Sequence, residues 1–329
     1  MNLAIIGCGN IGLRHFQSLL NLKEKHNLFI VDNSSLSLNL CHEYYNNNNN
    51  NNKNTNLKII FLKNINQINE NLDIIIISTG SLPRRNIVEE IFKNHRPKHI
   101  ILEKFLFTNI EDYQYCSDLF KLNNSQAWVN QWMSNEFKEL KKYFNNSAQI
   151  DLTINGNNWG MCCNSVHYID WFHDLIGREN MKISQANLED KIYESKRSNY
   201  YELFGSYKVV SESNHNLTLI CNKTTAEVNV EKEVYISASN EEFNLQAKLT
   251  SKKLDCDIQN INGLISSHNI PISYQSERTS KIIDSLIDTD DCNLIKYDIS
   301  VKHHLLVFDI FKEIFILNKY DLKDGLPIS

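Results

Sequence analysis

The sequence predicts an α/β chain: a doubly wound parallel sheet at the N-terminus, then an α+β domain built on a largely antiparallel open sheet. Three observations carry the expectation. Leu3 to Ile6, Leu28 to Val31, Asp73 to Ser78 and His99 to Leu102 are short runs, apolar nearly throughout, and helical periodicity separates them. Strands of that kind suit a parallel sheet covered by helices on both faces. From Gln149 onward the texture changes to alternating apolar and polar residues, as in Gln149 to Asn155, Leu217 to Cys221, Ala226 to Val230, Val234 to Ala238 and Phe243 to Leu249. That is the pattern of antiparallel strands with one face in water. The length of 329 residues favours two domains, and we place them at 1–146 and 147–329.

The first elements are the most specific. Leu3 to Ile6 is too short for a helix and leads into Gly7, Gly9 and Gly12 at G-x-G-x-x-G spacing. Leu13, Phe16, Leu19 and Leu20 then recur at helical period, and a second apolar run ends on Asp32. Each glycine has a task in holding a dinucleotide. Gly7 permits the turn out of the strand, Gly9 lets a pyrophosphate approach the backbone, and Gly12 packs the helix on the sheet. Asn10 and Ile11 complete the loop, where free N–H groups at the helix start attract phosphate. Asp32, 20 residues after Gly12, is placed to accept the ribose hydroxyls of NAD. A 2′-phosphate would meet like charge there, and Asn33, Ser34 and Ser35 supply no arginine, so NAD rather than NADP is expected. The alternative is a doubly wound domain that keeps the turn without the ligand.

The unbroken asparagine run Asn46 to Asn52 is expected to be a surface loop, because asparagine competes with its own backbone and buries nothing. After Asp73 to Ser78, Thr79 begins a turn at the carboxyl end of the strand, and Pro83 suits the first turn of the next helix. Glu103 and Lys104 follow the next strand. Ligands of such sheets bind beyond the strands' carboxyl ends, so Thr79, Glu103 and Lys104 are candidate site residues. Helices are expected at Ile110 to Leu122, Asn135 to Phe144, Ser165 to Ile176, Glu277 to Ile287 and Asp298 to Leu317, with a strand at Ala127 to Asn130. In the helix at Asn135, the inward residues are Phe137, Leu140, Tyr143 and Phe144.

The net charge of −5 gives no reason to expect nucleic acid or an anionic membrane as partner. No apolar run approaches the ~20 residues of a membrane span. The first strand begins almost at Met1, so no cleavable leader is expected. The eight cysteines lack C-x-x-C spacing, and several, such as Cys116 and Cys221, lie in apolar runs. They read as reduced cysteines of a cytoplasmic protein, and no metal site is expected.

With the glycine motif, D-I-I-I-I-S, I-L-E-K and G-M-C-C-N-S-V-H-Y-I-D-W-F-H-D-L-I-G on the page, the chain resembles the Gfo/Idh/MocA oxidoreductases over nearly its whole length. The resemblance implies a Rossmann domain joined to an α+β domain whose open sheet mediates a homodimer or homotetramer. It also implies hydride transfer between a nicotinamide and a hydroxyl or carbonyl of a sugar, nucleotide sugar or cyclitol. The family's E-K-P motif falls on Glu103, Lys104 and Phe105, and Lys104 inherits a catalytic or substrate-orienting role. Phe105 replaces a proline whose bond is often cis, and a trans bond is expected here because a non-proline cis bond is costly.

The family's D-x-x-x-H falls on Cys163 and His167. His167 resembles the acid/base histidine, and Cys163, in place of the aspartate, is expected to line the pocket. Helical spacing puts 163, 167, 170 and 174 on one face, so Asp170 projects with His167. The segment Trp128 to Trp132 matches a pocket-lining stretch, with Asn130 the residue carried over. Asn157, Asn158 and Trp159 are placed either to bind a sugar or simply as loop residues. His303 and His304 join the pocket only if their helix packs there. The departures at Phe105 and Cys163 leave a second function open: a nucleotide-binding sensor or regulator that does not turn over.

Overall fold

The structure is a computed structural model describing residues 1–49, 56–145, 147–224 and 233–328. In the first part of the chain strands and helices alternate: β1 (Asn2–Ile6), α1 (Asn10–Leu19), β2 (His26–Val31), α2 (Ser35–Asn49), β3 (Leu57–Leu62), β4 (Ile74–Ile77), α3 (Ser81–Asn94), β5 (His99–Leu102), α4 (Ile110–Leu122) and β6 (Gln126–Val129). There follow a single turn α5 (Met133–Glu136), β7 (Asp151–Asn157), α6 (Met161–Leu175), β8 (Met181–Leu188), β9 (Tyr193–Glu194), β10 (Tyr201–Glu202), β11 (Gly205–Ser211) and β12 (Asn216–Asn222). The chain closes with β13 (Val234–Ser239), β14 (Asn244–Leu249), β15 (Lys253–Asn260), β16 (Gly263–Pro271), α7 (Gln275–Thr289), β17 (Ile295–Lys296) and α8 (Tyr297–Leu317).

Two compact units result: Met1–Asn130 with Ser273–Ile299, and Gln131–Ile272 with the residues from Ser300 onward. The first unit holds a sheet in the order β17-β6-β5-β4-β1-β2-β3, parallel except for β17 at one edge. Ile5 pairs Ile30 on one side and Ile76 on the other, and Ile101 next to Ile76 pairs Trp128. These residues are all buried, as two-sided apolar strands require. Burying each such isoleucine stabilises the fold by ~1.5–3 kcal/mol. The second unit holds the sheet β16-β15-β14-β13-β7-β12-β11-β8, antiparallel except between β7 and β12. Leu152 and Ile154 of β7 are buried, while Asp151, Asn155 and Asn157 are exposed.

Several expectations need correction. Asn46 to Asn49 continue α2 instead of looping away, and residues 50–55 lie outside the described residues. The Asn46 side chain engages the His42 ring one turn back (3.1 Å) instead of its own backbone, and extending an existing helix costs little. Asn135 to Phe144 is not one α-helix. After α5, Lys138–Tyr143 winds as a tighter 3₁₀ helix, with Leu140 N–H donating to the Phe137 carbonyl (3.0 Å) and Phe144 N–H to that of Lys141 (2.9 Å). Phe137, Leu140 and Phe144 are buried as expected, while Tyr143 is only half-buried. Ala226 to Val230 lies outside the described residues.

Sequence reading puts the domain boundary after residue 146, whereas the compact units part after Asn130. The reason is packing within the second unit. The Gln131 amide donates to the Val166 carbonyl (2.6 Å), and the Phe137 ring meets the edge of Trp171 at 5.1 Å. In the first unit, Ile282, Ile283 and Leu286 of α7 join the core made by Leu3, Phe16 and Leu19.

Candidate active site

The glycine loop of the first unit has the geometry its spacing predicts. Gly7 has φ +94°, and a Cβ there would lie 2.7 Å from the Thr79 methyl. A Cβ on Gly12 would come within 1.9 Å of the Gly7 carbonyl oxygen, so the helix sits against the turn as closely as backbone allows. Around Gly9 the same test meets nothing within 4 Å. Gly9 and Asn10 are exposed and Ile11 half-buried. The N-terminus of α1 has no side-chain cap and no acid in its first turn, which leaves its N–H groups and its partial positive charge facing outward.

Asp32 is fixed at the end of β2. One carboxylate oxygen accepts the Cys8 N–H (2.5 Å) and the other the Ser34 N–H (2.8 Å). A carboxylate has about four acceptor positions, so lone pairs remain for ribose hydroxyls. Thr79 lies beside the loop, and the Ser78 hydroxyl donates to the Gly7 carbonyl (2.6 Å). Gly7, Gly9, Asn10, Ile11, Gly12, Asp32 and Thr79 thus gather around one turn.

Glu103 and Lys104 follow β5 directly. The Lys104–Phe105 peptide bond is cis, against the trans bond expected from the loss of the proline. The surroundings, not the residue type, decide the isomer. Phe105 is fully buried, and the buried guanidinium of Arg84 donates to the carbonyls of Phe105, Leu106 (2.7 Å) and Thr79. This clamp was not legible beforehand, because Arg84 follows Pro83 at a helix start where an arginine would ordinarily face water.

The Glu103 carboxylate is turned into the protein. Its Oε1 accepts from His15 Nε2 (3.0 Å) and from the Asn130 amide, and the residue is 7% exposed. Burial alone would raise its pKa. Hydrogen bonds from His15 and Asn130, with the charges of His15 and Lys104, instead hold it below the usual carboxylate range. Asn130 also donates to Gln275 Oε1 (2.8 Å). His15, Gln275 and Thr279 are not candidates on sequence pattern alone. His15 had a signal, since it lies three residues after Gly12 on the helix face that carries Phe16 and Leu19.

In the second unit, His167 and Asp170 are both buried on α6, a helix buried nearly all round. The His167 ring lies 5.5 Å from that of Trp132, tilted by 48°. Asp170 accepts the Ser134 hydroxyl (2.7 Å), and burial, reinforced by the Asp174 charge, pushes its carboxyl up to about 7. Asp174 is held by Lys141 (2.9 Å). Cys163 is half-buried and directs its thiol to the Gly160 carbonyl (3.6 Å).

Trp159 is not presented to a ligand. It is 3% exposed, its indole N–H donates to the Ile220 carbonyl (2.8 Å), and its ring packs on Tyr168. Asn158 donates to Thr224. His303 and His304 are fully buried. His303 Nε2 bonds His173 Nδ1 (2.8 Å) and Gln131 Nε2 lies 3.4 Å from His303 Nδ1, while His304 Nδ1 faces the Ser300 carbonyl one turn back (2.8 Å).

The first unit fits a dinucleotide on its own observations: an open approach at Gly9, an uncapped helix start and a fixed acid at Asp32. Two further buried polar atoms at the carboxyl ends of the strands, Thr79 Oγ1 and Asn130 Oδ1, have no hydrogen-bond partner among the described residues. Among these residues there is no cluster of His, Cys, Asp and Glu suited to a metal ion, and no helix long and apolar enough to cross a membrane.

Comparison with known proteins agrees with this geometry. Residues 1–131 match the model of the Gfo/Idh/MocA oxidoreductase family, NAD-binding Rossmann fold. No curated protein sequence matches the chain. Among solved structures, the dehydrogenase MviM from Clostridium difficile superposes with a TM-score of 0.69 at 15% identity, over 95% of this chain and 99% of that one. A point mutant of the 3-ketoreductase KijD10 from Actinomadura kijaniata, in complex with TDP-benzene and NADP, gives 0.69 at 9% identity over 93% of this chain and 95% of that one. The WlbA dehydrogenase from Bordetella pertussis, in complex with NADH and UDP-GlcNAcA, gives 0.63 at 13% over 95% of each chain. At these identities the superpositions speak for the fold alone. Residues 1–131 are therefore similar to the NAD-binding Rossmann domain of the Gfo/Idh/MocA oxidoreductase family.

Proposed function

We propose that the protein is an NAD-dependent oxidoreductase that interconverts a hydroxyl and a carbonyl on a sugar, nucleotide sugar or cyclitol. The observation that carries this is the glycine loop: a turn that only glycine fits at Gly7 and Gly12, open at Gly9, with Asp32 held beside it by two backbone N–H groups. Solved structures of the same fold include complexes with NADH and UDP-GlcNAcA and with NADP and TDP-benzene, which supports the substrate class. Asp32 supports NAD over NADP, because a 2′-phosphate would add negative charge beside a carboxylate with no arginine following it.

When bound, the nicotinamide accepts or donates the hydride. The chain's own residues must then handle the proton and the charge on oxygen. In the oxidative direction His167 takes the hydroxyl proton as a general base. The Lys104 ammonium supplies the kind of charge that stabilises an oxygen becoming negative, a larger effect away from bulk water. Asp170, whose carboxyl burial pushes up to about 7, keeps its proton below that pH and there presents a hydrogen-bond donor on the His167 helix where an ordinary aspartate would present a charge. A homodimer or homotetramer is the assembly the family resemblance supports.

The test is a panel of sugars, nucleotide sugars and cyclitols incubated with protein and NAD or NADH, read by the absorbance of the reduced nicotinamide. Turnover with one substrate class supports the proposal. NADH binding without turnover across the panel would favour the second reading, a nucleotide-responsive regulator, which the replacement of the motif aspartate by Cys163 makes worth separating.

A further inference from the structure

The polar cluster around His15 has no part in the chemistry proposed above. His15 stands on α1, the helix that begins at the glycine loop, and is 1% exposed. Its Nε2 faces Glu103 Oε1 at 3.0 Å. The ionised carboxylate can only accept, so this nitrogen carries the proton. On the other side of the ring, Nδ1 lies 2.9 Å from Thr279 Oγ1 and 3.3 Å from the Gln275 amide nitrogen, both on α7. Gln275 donates to Thr279 Oγ1 (2.8 Å), and its own oxygen accepts from Asn130 (2.8 Å), which also donates to Glu103. One histidine therefore joins the cofactor helix, α7 and the residue just before Lys104.

Such a cluster is costly to assemble unless every group is paired, and breaking one partner strands a buried carboxylate. An apolar contact between α1 and α7 would serve stability better, and Ile282, Ile283 and Leu286 already supply one. What the polar contact adds is direction. Three side-chain bonds and the Cα–C bond connect the Glu103 carboxylate to the Lys104 peptide. Holding the carboxylate at Oε1 restrains the Glu103 backbone, and with it the direction in which Lys104 leaves the chain just beyond β5.

We infer that His15 is a positioning residue: by gripping Glu103 from the helix of the glycine loop, it sets the orientation of Lys104 and ties that lysine to the cofactor seat. The inference rests on the role given to Lys104 under Proposed function, and its test is independent of turnover.

The test measures how fast the Lys104 amine is acetylated by an N-hydroxysuccinimide ester in the cofactor-free, full-length protein, with exposed Lys25 as internal reference and peptide mass spectrometry as readout. The variants are His15→Leu, His15→Gln and Glu103→Leu, each held well below its own melting temperature. We expect the relative rate at Lys104 to change by about threefold or more in His15→Leu, well within the roughly tenfold that one lost hydrogen bond to a charged group can release. His15→Gln, which keeps an N–H donor near the position of Nε2, should return it most of the way to wild type. A merely structural histidine would lower the melting temperature and leave the rate in the folded protein alone. If His15→Leu does not fold, Glu103→Leu, which removes the acceptor, carries the test, with the same change expected. Wild-type rates at Lys104 in folded His15→Leu, or in Glu103→Leu if only that variant folds, overturn the inference. NADH titration of the same samples is read separately: absent binding by the wild type would sink the proposed function while the acetylation result on His15 stands.

Discussion

Asp170 gives the sharpest thermodynamic prediction. Its carboxyl rises from an ordinary value of 3.8 to about 7, chiefly through burial on α6, with the Asp174 charge adding to it and the Ser134 hydroxyl opposing. In the unfolded chain the group loses its proton near the ordinary value; in the folded protein it keeps it until about 7. Between those limits the folded state binds the extra proton, so stability falls as pH rises. The slope is about 1.4 kcal/mol per pH unit, about 4 kcal/mol over the window, and flattens above it. Asp170→Asn removes the titration and retains an oxygen for the Ser134 hydroxyl. The comparison between wild type and variant cancels the other titrating groups. Urea unfolding followed by tryptophan fluorescence, at about pH 4.5 and about pH 8, should show the variant gaining about 3 kcal/mol on wild type between the two. A stability difference that moves by less than about 1 kcal/mol would refute the account of a buried, proton-holding carboxyl.

Four further outcomes follow from the same structure. Gly12→Ala must push a methyl into the Gly7 carbonyl and should weaken NADH binding by roughly tenfold or more, read by nicotinamide fluorescence. Arg84→Met leaves the carbonyls of Thr79, Phe105 and Leu106 without their donor and should cost ~3 kcal/mol or more, a fall in Tm on the order of 10 °C by calorimetry. Once a substrate is found, His167→Asn should cut turnover by ~100-fold with NADH affinity kept, and should remove the inflection in the pH–rate profile. Lys104→Met should slow turnover without removing that inflection. Near wild-type turnover and pH profile in His167→Asn would make the histidine structural.

The fold was legible where local chemistry and tertiary role agree. The four isoleucines of β4 can only be a two-sided buried strand, and Gly7, Gly9, Gly12 and Asp32 declare their turn by spacing. Strands β8, β11, β15 and β16 were not singled out, because half-exposed strands mix polar residues into weak alternation: Met181 to Leu188 is mostly exposed. At the site, sequence pointed to Glu103 and Asn130 but not to each other. Their partners His15, Gln275 and Thr279 are distant in sequence, and which buried polar groups pair is settled by packing that no local pattern encodes. Trp159 shows the converse. An aromatic residue beside two asparagines reads as a sugar platform, yet its indole N–H is used by Ile220 and its ring by Tyr168.

The central claim, an NAD site built on the glycine loop and Asp32, is met most directly by titrating the purified protein with NADH and with NADPH and following nicotinamide fluorescence. The account predicts saturable binding of NADH, tighter than NADPH by roughly tenfold or more, with the gap narrowed or reversed in Asp32→Ala. Equal affinity for the two cofactors in the wild type would remove Asp32 from its role, and binding of neither would contradict the function proposed for the protein.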